Sequence, residues 1–250
     1  MVAALYPSYF HDNLAGFADA LRPAAWDPAT VPMRRLIEPA SLSERLACFS
    51  AAHDTYEPRA AASQWSKWFF SRLGIATLVA QLGSGRALPL TLDGLALASR
   101  DDGTPAYFRL ADTPGTAHAG HDLSALIDEV FTPVVNALSA HCRLAPRVFW
   151  SNASTYIAWA LDELDRQAQA PRAPRIAVRD LLSRRDRPDG GFNPFYRAYK
   201  RCPPGTMDGD GRPVDQCRRL CCMRDLDARW DLCANCPRAM RFPVLERASG

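Results

Sequence analysis

Six of the eight cysteines in this 250-residue chain lie between positions 202 and 236. They are Cys202, Cys217, Cys221, Cys222, Cys233 and Cys236, and the last four read C-C-x10-C-x2-C-P. The stretch around them is rich in turn formers: Pro188, Gly190, Gly191, Pro194, Pro203, Pro204, Gly205, Gly209 and Gly211. Met1–Pro7 carries no basic leader and no small-residue cleavage site after a long apolar run, which leads us to expect no signal peptide and a cytoplasmic location. In a reducing compartment, clustered cysteines point to metal rather than to disulfides. A small metal-organised segment at the C-terminal end is therefore the first expectation.

The spacing narrows the chemistry without closing it. Four thiolates serve either structural zinc or a [2Fe–2S] cluster. A C-x2-C pair suits both, because two intervening residues let the chain turn around one metal with backbone N–H groups aimed at sulfur. The adjacent pair Cys221–Cys222 discriminates better. Zinc ligands are usually two to four residues apart, and neighbouring side chains point apart, so gripping one ion with both strains the backbone. A two-iron rhomb is wider and accommodates more ligand directions. At this point zinc and cluster both stand.

The rest of the chain has the composition of an ordinary globular protein, 48% hydrophobic and 23% charged. Apolar periodicity predicts helices over about 9–21, 41–52, 60–82, 121–143, 149–164 and 176–183. Ser41-Leu42-Ser43-Glu44 reads as a capping box, Gly83-Ser84-Gly85 as a stop, and Pro133 as a kink. Leu88, Leu90 and Leu92 alternate, Asp101-Asp102-Gly103 offers a turn, and Ala106–Leu110 reads as a returning strand. The expected fold is α+β: a mostly helical body with a β-hairpin or small antiparallel sheet, residues 1–195, followed by the C-terminal metal-binding segment, 196–250.

Other features carry less. A net charge of +3 without a basic stripe argues against nucleic acid. No segment is long and apolar enough to span a bilayer. The histidines His11, His53, His118, His121 and His141 show no ligand spacing. Cys48 and Cys142 read as small buried apolar residues, and Trp65, Trp68, Phe69 and Phe70 as core. Asp208-Gly209-Asp210-Gly211 lacks the spacing of a calcium loop and reads as a turn. Arg218, Arg219, Arg224, Arg229 and Arg238 flank the cysteines and read as solvated charges. In functional terms they offer a way to raise a cluster's potential, dock an acidic donor or attract an anionic ligand. There is no G-x-G-x-x-G after a strand, so a built-in nicotinamide or flavin site is not expected.

The C-C-x10-C-x2-C arrangement resembles that of the FhuF-like siderophore-iron reductases. Trp65-Ser66-Lys67-Trp68-Phe69-Phe70, Trp150-Ser151-Asn152-Ala153 and Asn193-Pro194-Phe195-Tyr196 are similar to stretches of that family, so the likeness runs over about 60–240. The resemblance implies a [2Fe–2S] cluster on Cys221, Cys222, Cys233 and Cys236, with no catalytic residue beyond it. It also implies one-electron reduction of a ferric siderophore, hydroxamate type first, releasing Fe(II) in the cytoplasm. Partners would be an external electron donor (a ferredoxin or NAD(P)H-dependent reductase) and, peripherally, the inner membrane or a siderophore transporter. Cys202, Cys217 and the insert between them depart from the family pattern; spare thiols, an oxidisable pair and substitute ligands are the options. The alternative to a reductase is a metal-stapled siderophore-binding or transporter-associated module.

Overall fold

The computed structural model describes residues 6–23, 29–111, 119–167 and 170–241. Its elements run β1 (Leu21–Pro23), β2 (Thr30–Pro32), α1 (Met33–Leu36), α2 (Pro39–Ala52), α3 (Pro58–Phe70), α4 (Ala76–Ser84), β3 (Leu95–Ser99), β4 (Pro105–Leu110), α5 (Thr132–Cys142), α6 (Pro146–Gln167), α7 (Arg172–Ser183), β5 (Tyr199–Arg201) and β6 (Gln216–Arg218). The architecture is α+β, as the sequence predicts. A four-stranded sheet in the order β1-β4-β3-β2 packs on the helices, and β5–β6 form a separate hairpin near the cysteines. Among the described residues no helix is long and apolar enough to cross a membrane.

The predicted hairpin forms as β3–β4, pairing Leu97 with Phe108 and Leu95 with Leu110. Gly103 makes its turn at φ +78°, and a Cβ there would meet the Phe49 backbone nitrogen at 2.8 Å, so only glycine fits. β1 joins β4 in parallel and β2 joins β3 antiparallel. Both outer strands end in proline, which is tolerated there because an edge strand has a solvent-side N–H to lose.

Four local expectations are corrected. Residues 9–21 make two short 3₁₀ turns, Pro7–Tyr9 and Asp12–Phe17, rather than one helix. Asp12 sits at φ +46°, which no α-helix contains. The capping box lies inside α2, which starts earlier at Pro39 because proline pre-sets the first helical φ. Leu88 and Leu90 are buried but form no strand, since the Leu90 N–H turns back onto the Leu88 carbonyl. Pro133 gives no simple kink. A π-helical segment, Ala125–Phe131, precedes it, and the Thr132 hydroxyl donates to the Ile127 carbonyl at 2.8 Å.

The long helix predicted over 60–82 is present as α3, a π segment at Ser71–Ile75, and α4, ended by Gly85 at φ +73°. Its aromatic residues build the core. Trp65, Phe69 and Phe70 are fully buried, Phe69 meets Phe108 edge-on at 5.2 Å, and Phe70 meets Phe131 at 4.8 Å. Such contacts add about 0.5–1.5 kcal/mol each beyond the area they bury. Trp68 departs from the expectation and is 43% exposed, because it faces away from that cluster.

Candidate metal centre

The cysteine segment is held against the crossing of α3 and α6 by a buried polar relay. Asn152 on α6 donates through Nδ2 to Ser63 O (3.2 Å), Ser63 Oγ (3.1 Å) and Ser66 Oγ (3.0 Å) on α3. Its Oδ1 accepts from Arg218 Nη2 at 2.5 Å. The Ser63 hydroxyl donates in turn to the carbonyl of Cys222. A buried guanidinium is expensive unless its donors are met, so Asn152 is what permits Arg218 to sit 2% exposed. The sequence reading of Arg218 as a solvated charge is therefore corrected.

Around the relay the four predicted cysteines come together. Cys221 Sγ lies 3.6 Å from Cys236 Sγ. Cys222 interacts electrostatically with Cys221 and with Cys233. The result is a string, Cys236–Cys221–Cys222–Cys233, rather than a tripod. Among the described residues no three His, Cys, Asp or Glu side chains close around a single-ion position. The string sits in cover: Cys222 and Cys236 are buried, Cys221 and Cys233 half-buried.

Backbone geometry shows how the adjacent pair is used. Met223, directly after it, adopts φ +59°, a left-handed conformation that costs a non-glycine residue about 1–2 kcal/mol. That turn aims the Met223 N–H at Cys221 Sγ, 3.3 Å away. At the other end, the Cys236 N–H closes onto the Cys233 carbonyl at 2.9 Å, the tight turn expected of C-x2-C. Gln64 Nε2 reaches Cys222 Sγ at 3.9 Å. Hydrogen bonds from Cys221 and Cys233, with Lys67 and Arg218 adding positive charge, hold Cys222 well below the ordinary thiol range against the effect of its burial. The Cys221 and Cys233 thiols move up, first through the proton each shares with Cys222 and then through burial. The thiolate form is thus favoured at Cys222, and thiolate is the form that ligates metal.

The remaining sequence candidates have plainer places. Cys217 lies buried on β6; burial first, then its interaction with Cys202, push it up to about 11. Cys142 is buried and Cys48 half-buried. Asn193 caps α7, donating to the Leu181 and Arg184 carbonyls, and Phe195 packs on Phe131 and Trp150. Asp208 accepts from the Asp210 and Arg212 N–H groups, which makes the predicted turn. Arg229 pairs with Asp227 and Arg238 with Asp225, while Arg224 stacks over Trp230 and Arg219 over Tyr196. His118 lies outside the described residues, and His53 lies beside Asp102 and Trp230. Sequence reasoning missed Ser63, Gln64 and the Asn152–Arg218 contact. The available signal was a run of polar residues on an otherwise apolar helix face.

A larger cavity, about 490 Å³, is lined by His121, Asp122, Ile127, Asp180, Arg184 and Arg187 among others and contains no cysteine. A smaller one, about 260 Å³, abuts the thiols through Lys67, Arg218 and Asn235.

Comparison with known proteins places the body. The family model described as "Ferric iron reductase FhuF-like transporter" matches residues 63–202, short of the four cysteines. The ferric siderophore reductase of Escherichia coli (strain K12) is 26% identical over 166 residues, which cover 65% of this chain and 59% of that protein. This chain thus spans less than two thirds of the curated relative it matches. Aerobactin synthetase IucA from a hypervirulent pathotype of Klebsiella pneumoniae aligns at a TM-score of 0.46 and 15% identity, over 66% of this chain and 34% of that one, a likeness too weak to argue from. The family match alone takes in more than half of the residues, and the chain belongs to the FhuF-like ferric iron reductase family.

Proposed function

We propose that this chain binds a [2Fe–2S] cluster on Cys221, Cys222, Cys233 and Cys236 and reduces the Fe(III) of a siderophore by one electron. The observation that carries the reading is the string of four thiols. A two-iron centre takes four thiolates, and Cys221, Cys222, Cys233 and Cys236 would supply them. The residues fit such a group: four soft donors, N–H groups of Met223 and Gln64 aimed at sulfur, and two nearby cations. When bound, the cluster supplies a one-electron donor. The Met223 and Gln64 donors stabilise negative charge on sulfur, and Lys67 and Arg218 raise the potential at which that charge is accepted. Fe(III) is held by hard oxygen donors that bind Fe(II) far more weakly, so one electron frees the metal. Electrons then come from an external ferredoxin or NAD(P)H-dependent reductase, in the cytoplasm.

The test begins with anaerobically purified protein. A red-brown chromophore and the paramagnetic signal of a reduced [2Fe–2S] centre are expected. Stopped-flow mixing of the reduced protein with a ferric hydroxamate should reoxidise the centre in step with Fe(II) release. A colourless protein carrying stoichiometric zinc after anaerobic reconstitution overturns the cluster. Binding without reoxidation leaves a metal-stapled binding module.

A further inference from the structure

The smaller cavity shares a wall with the thiols. Lys67 and Arg218 line it, and both act on the charge of Cys222 and Cys233. Asn235, also in the lining, sits inside the C-x2-C turn. Tyr156, Tyr199 and Trp159 complete the part that matters.

Its charge is one-sided. Among the described residues no carboxylate lines it. Lys67 has no carboxylate partner among the described residues; burial pulls its ammonium pKa down first, and Arg218 adds repulsion. Arg218 is almost wholly buried, and while Nη2 is met by Asn152 and Ser151, Nε has no hydrogen-bond partner. A buried donor left unmet costs roughly 1–3 kcal/mol. Burial also drives the Tyr156 hydroxyl up to about 12, so at neutral pH it is a proton donor and never an anion. A reduced thiolate centre accounts for part of the positive charge. It does not account for open space walled by two phenols and an indole.

We infer that this cavity is the docking site of the ferric chelate, taking one anionic oxygen-donor arm between Lys67, Arg218 and Tyr156 with Trp159 as its flat wall. The inference rests on the reductase reading for its substrate class. At about 260 Å³ the space falls below the 300–1,000 Å³ of sites that enclose whole ligands. The chelate therefore inserts an arm and leaves its bulk outside, with the iron close to the thiols. Chelates with a net negative charge are favoured over uncharged ones.

Gallium(III) complexes test this, since gallium(III) resembles Fe(III) in charge and size but does not accept the electron. Calorimetric titration of the purified full chain compares the anionic gallium complex of the tricatecholate enterobactin with the uncharged gallium complex of ferrichrome. The anionic complex should bind more tightly. Lys67→Met and Tyr156→Phe should each weaken it about tenfold, the loss of one charge-assisted hydrogen bond, and Lys67→Arg should recover part of the loss. Arg184→Gln, in the larger cavity, should change nothing. Equal affinity for the two complexes, no binding, variants within twofold of the parent, or a loss at Arg184→Gln each overturn the site. The two readings fail separately. If gallium binding follows Lys67 but ferric complexes never reoxidise the protein, the reductase reading falls and the site stands; reoxidation that ignores Lys67 and Tyr156 does the reverse.

Discussion

Arg218 reaches Asn152 across 2.5 Å, which ties the hairpin beside the cysteines to the middle of α6. Asn152 spends its amide nitrogen on α3 and its amide oxygen on Arg218, so one side chain joins three elements. Asn152→Ala should cost about 2–4 kcal/mol in thermal or denaturant unfolding, because it strands a buried cation, whereas the Ser63 carbonyl keeps the Ser66 hydroxyl at 2.7 Å. Iron bound per chain should fall with it. Asn152→Asp keeps an acceptor for Arg218 but loses the donor to α3, and an intermediate loss is expected.

Gln64 Nε2 reaches Cys222 Sγ at 3.9 Å. In cluster-loaded protein Gln64→Leu should lower the reduction potential, since a donor to sulfur favours the more negative, reduced state. A hydrogen bond worth about 1 kcal/mol corresponds to roughly 40 mV for one electron. Spectroelectrochemical titration of the parent and the variant reads this shift, and an unchanged or raised potential contradicts it.

Cys202 and Cys217 interact with one another, and Cys217 also feels the charge of Cys236. The double variant Cys202→Ser, Cys217→Ser should keep its iron content and visible spectrum, while Cys222→Ser should lose both. Iron analysis of the purified variants decides whether the two extra thiols act as ligands.

The loop between the two cysteine pairs docks through Asp227, whose carboxylate accepts from the backbone N–H groups of Arg229 (3.1 Å) and Tyr56 (2.9 Å). Those bonds, the Arg229 N–H first, hold its pKa down to about 2. A lowered folded-state value means the carboxylate stabilises the fold at any pH above its unfolded value, near 4. That contribution fades as pH drops from about 4 to about 2. Asp227→Asn should melt below the parent at pH 7, with the gap closing by pH 2 in a pH series of thermal melts.

The clustering of the cysteines was legible from their spacing, and α5 was legible because it buries one periodic face, whereas α3 and α6 are buried over consecutive residues. β1 and β2 were not. Three residues flanked by proline show no alternation, and only the neighbouring strands β4 and β3 make them strands. Arg218 was not legible either: nothing in Gln216-Cys217-Arg218-Arg219 separates the buried arginine from the exposed one beside it. The difference is Asn152, 66 residues away. Lys67 was visible as one of only two lysines, but its setting depends on the cavity.

Gln64 and Lys67 stand three positions apart on α3, about 4.5 Å along its axis. One side chain meets the thiols and the other lines the cavity. On the proposed reading, the gap between electron donor and acceptor is set by a rigid rod buried in the core. The hop itself should then be indifferent to solvent viscosity, leaving diffusion of the chelate to feel it.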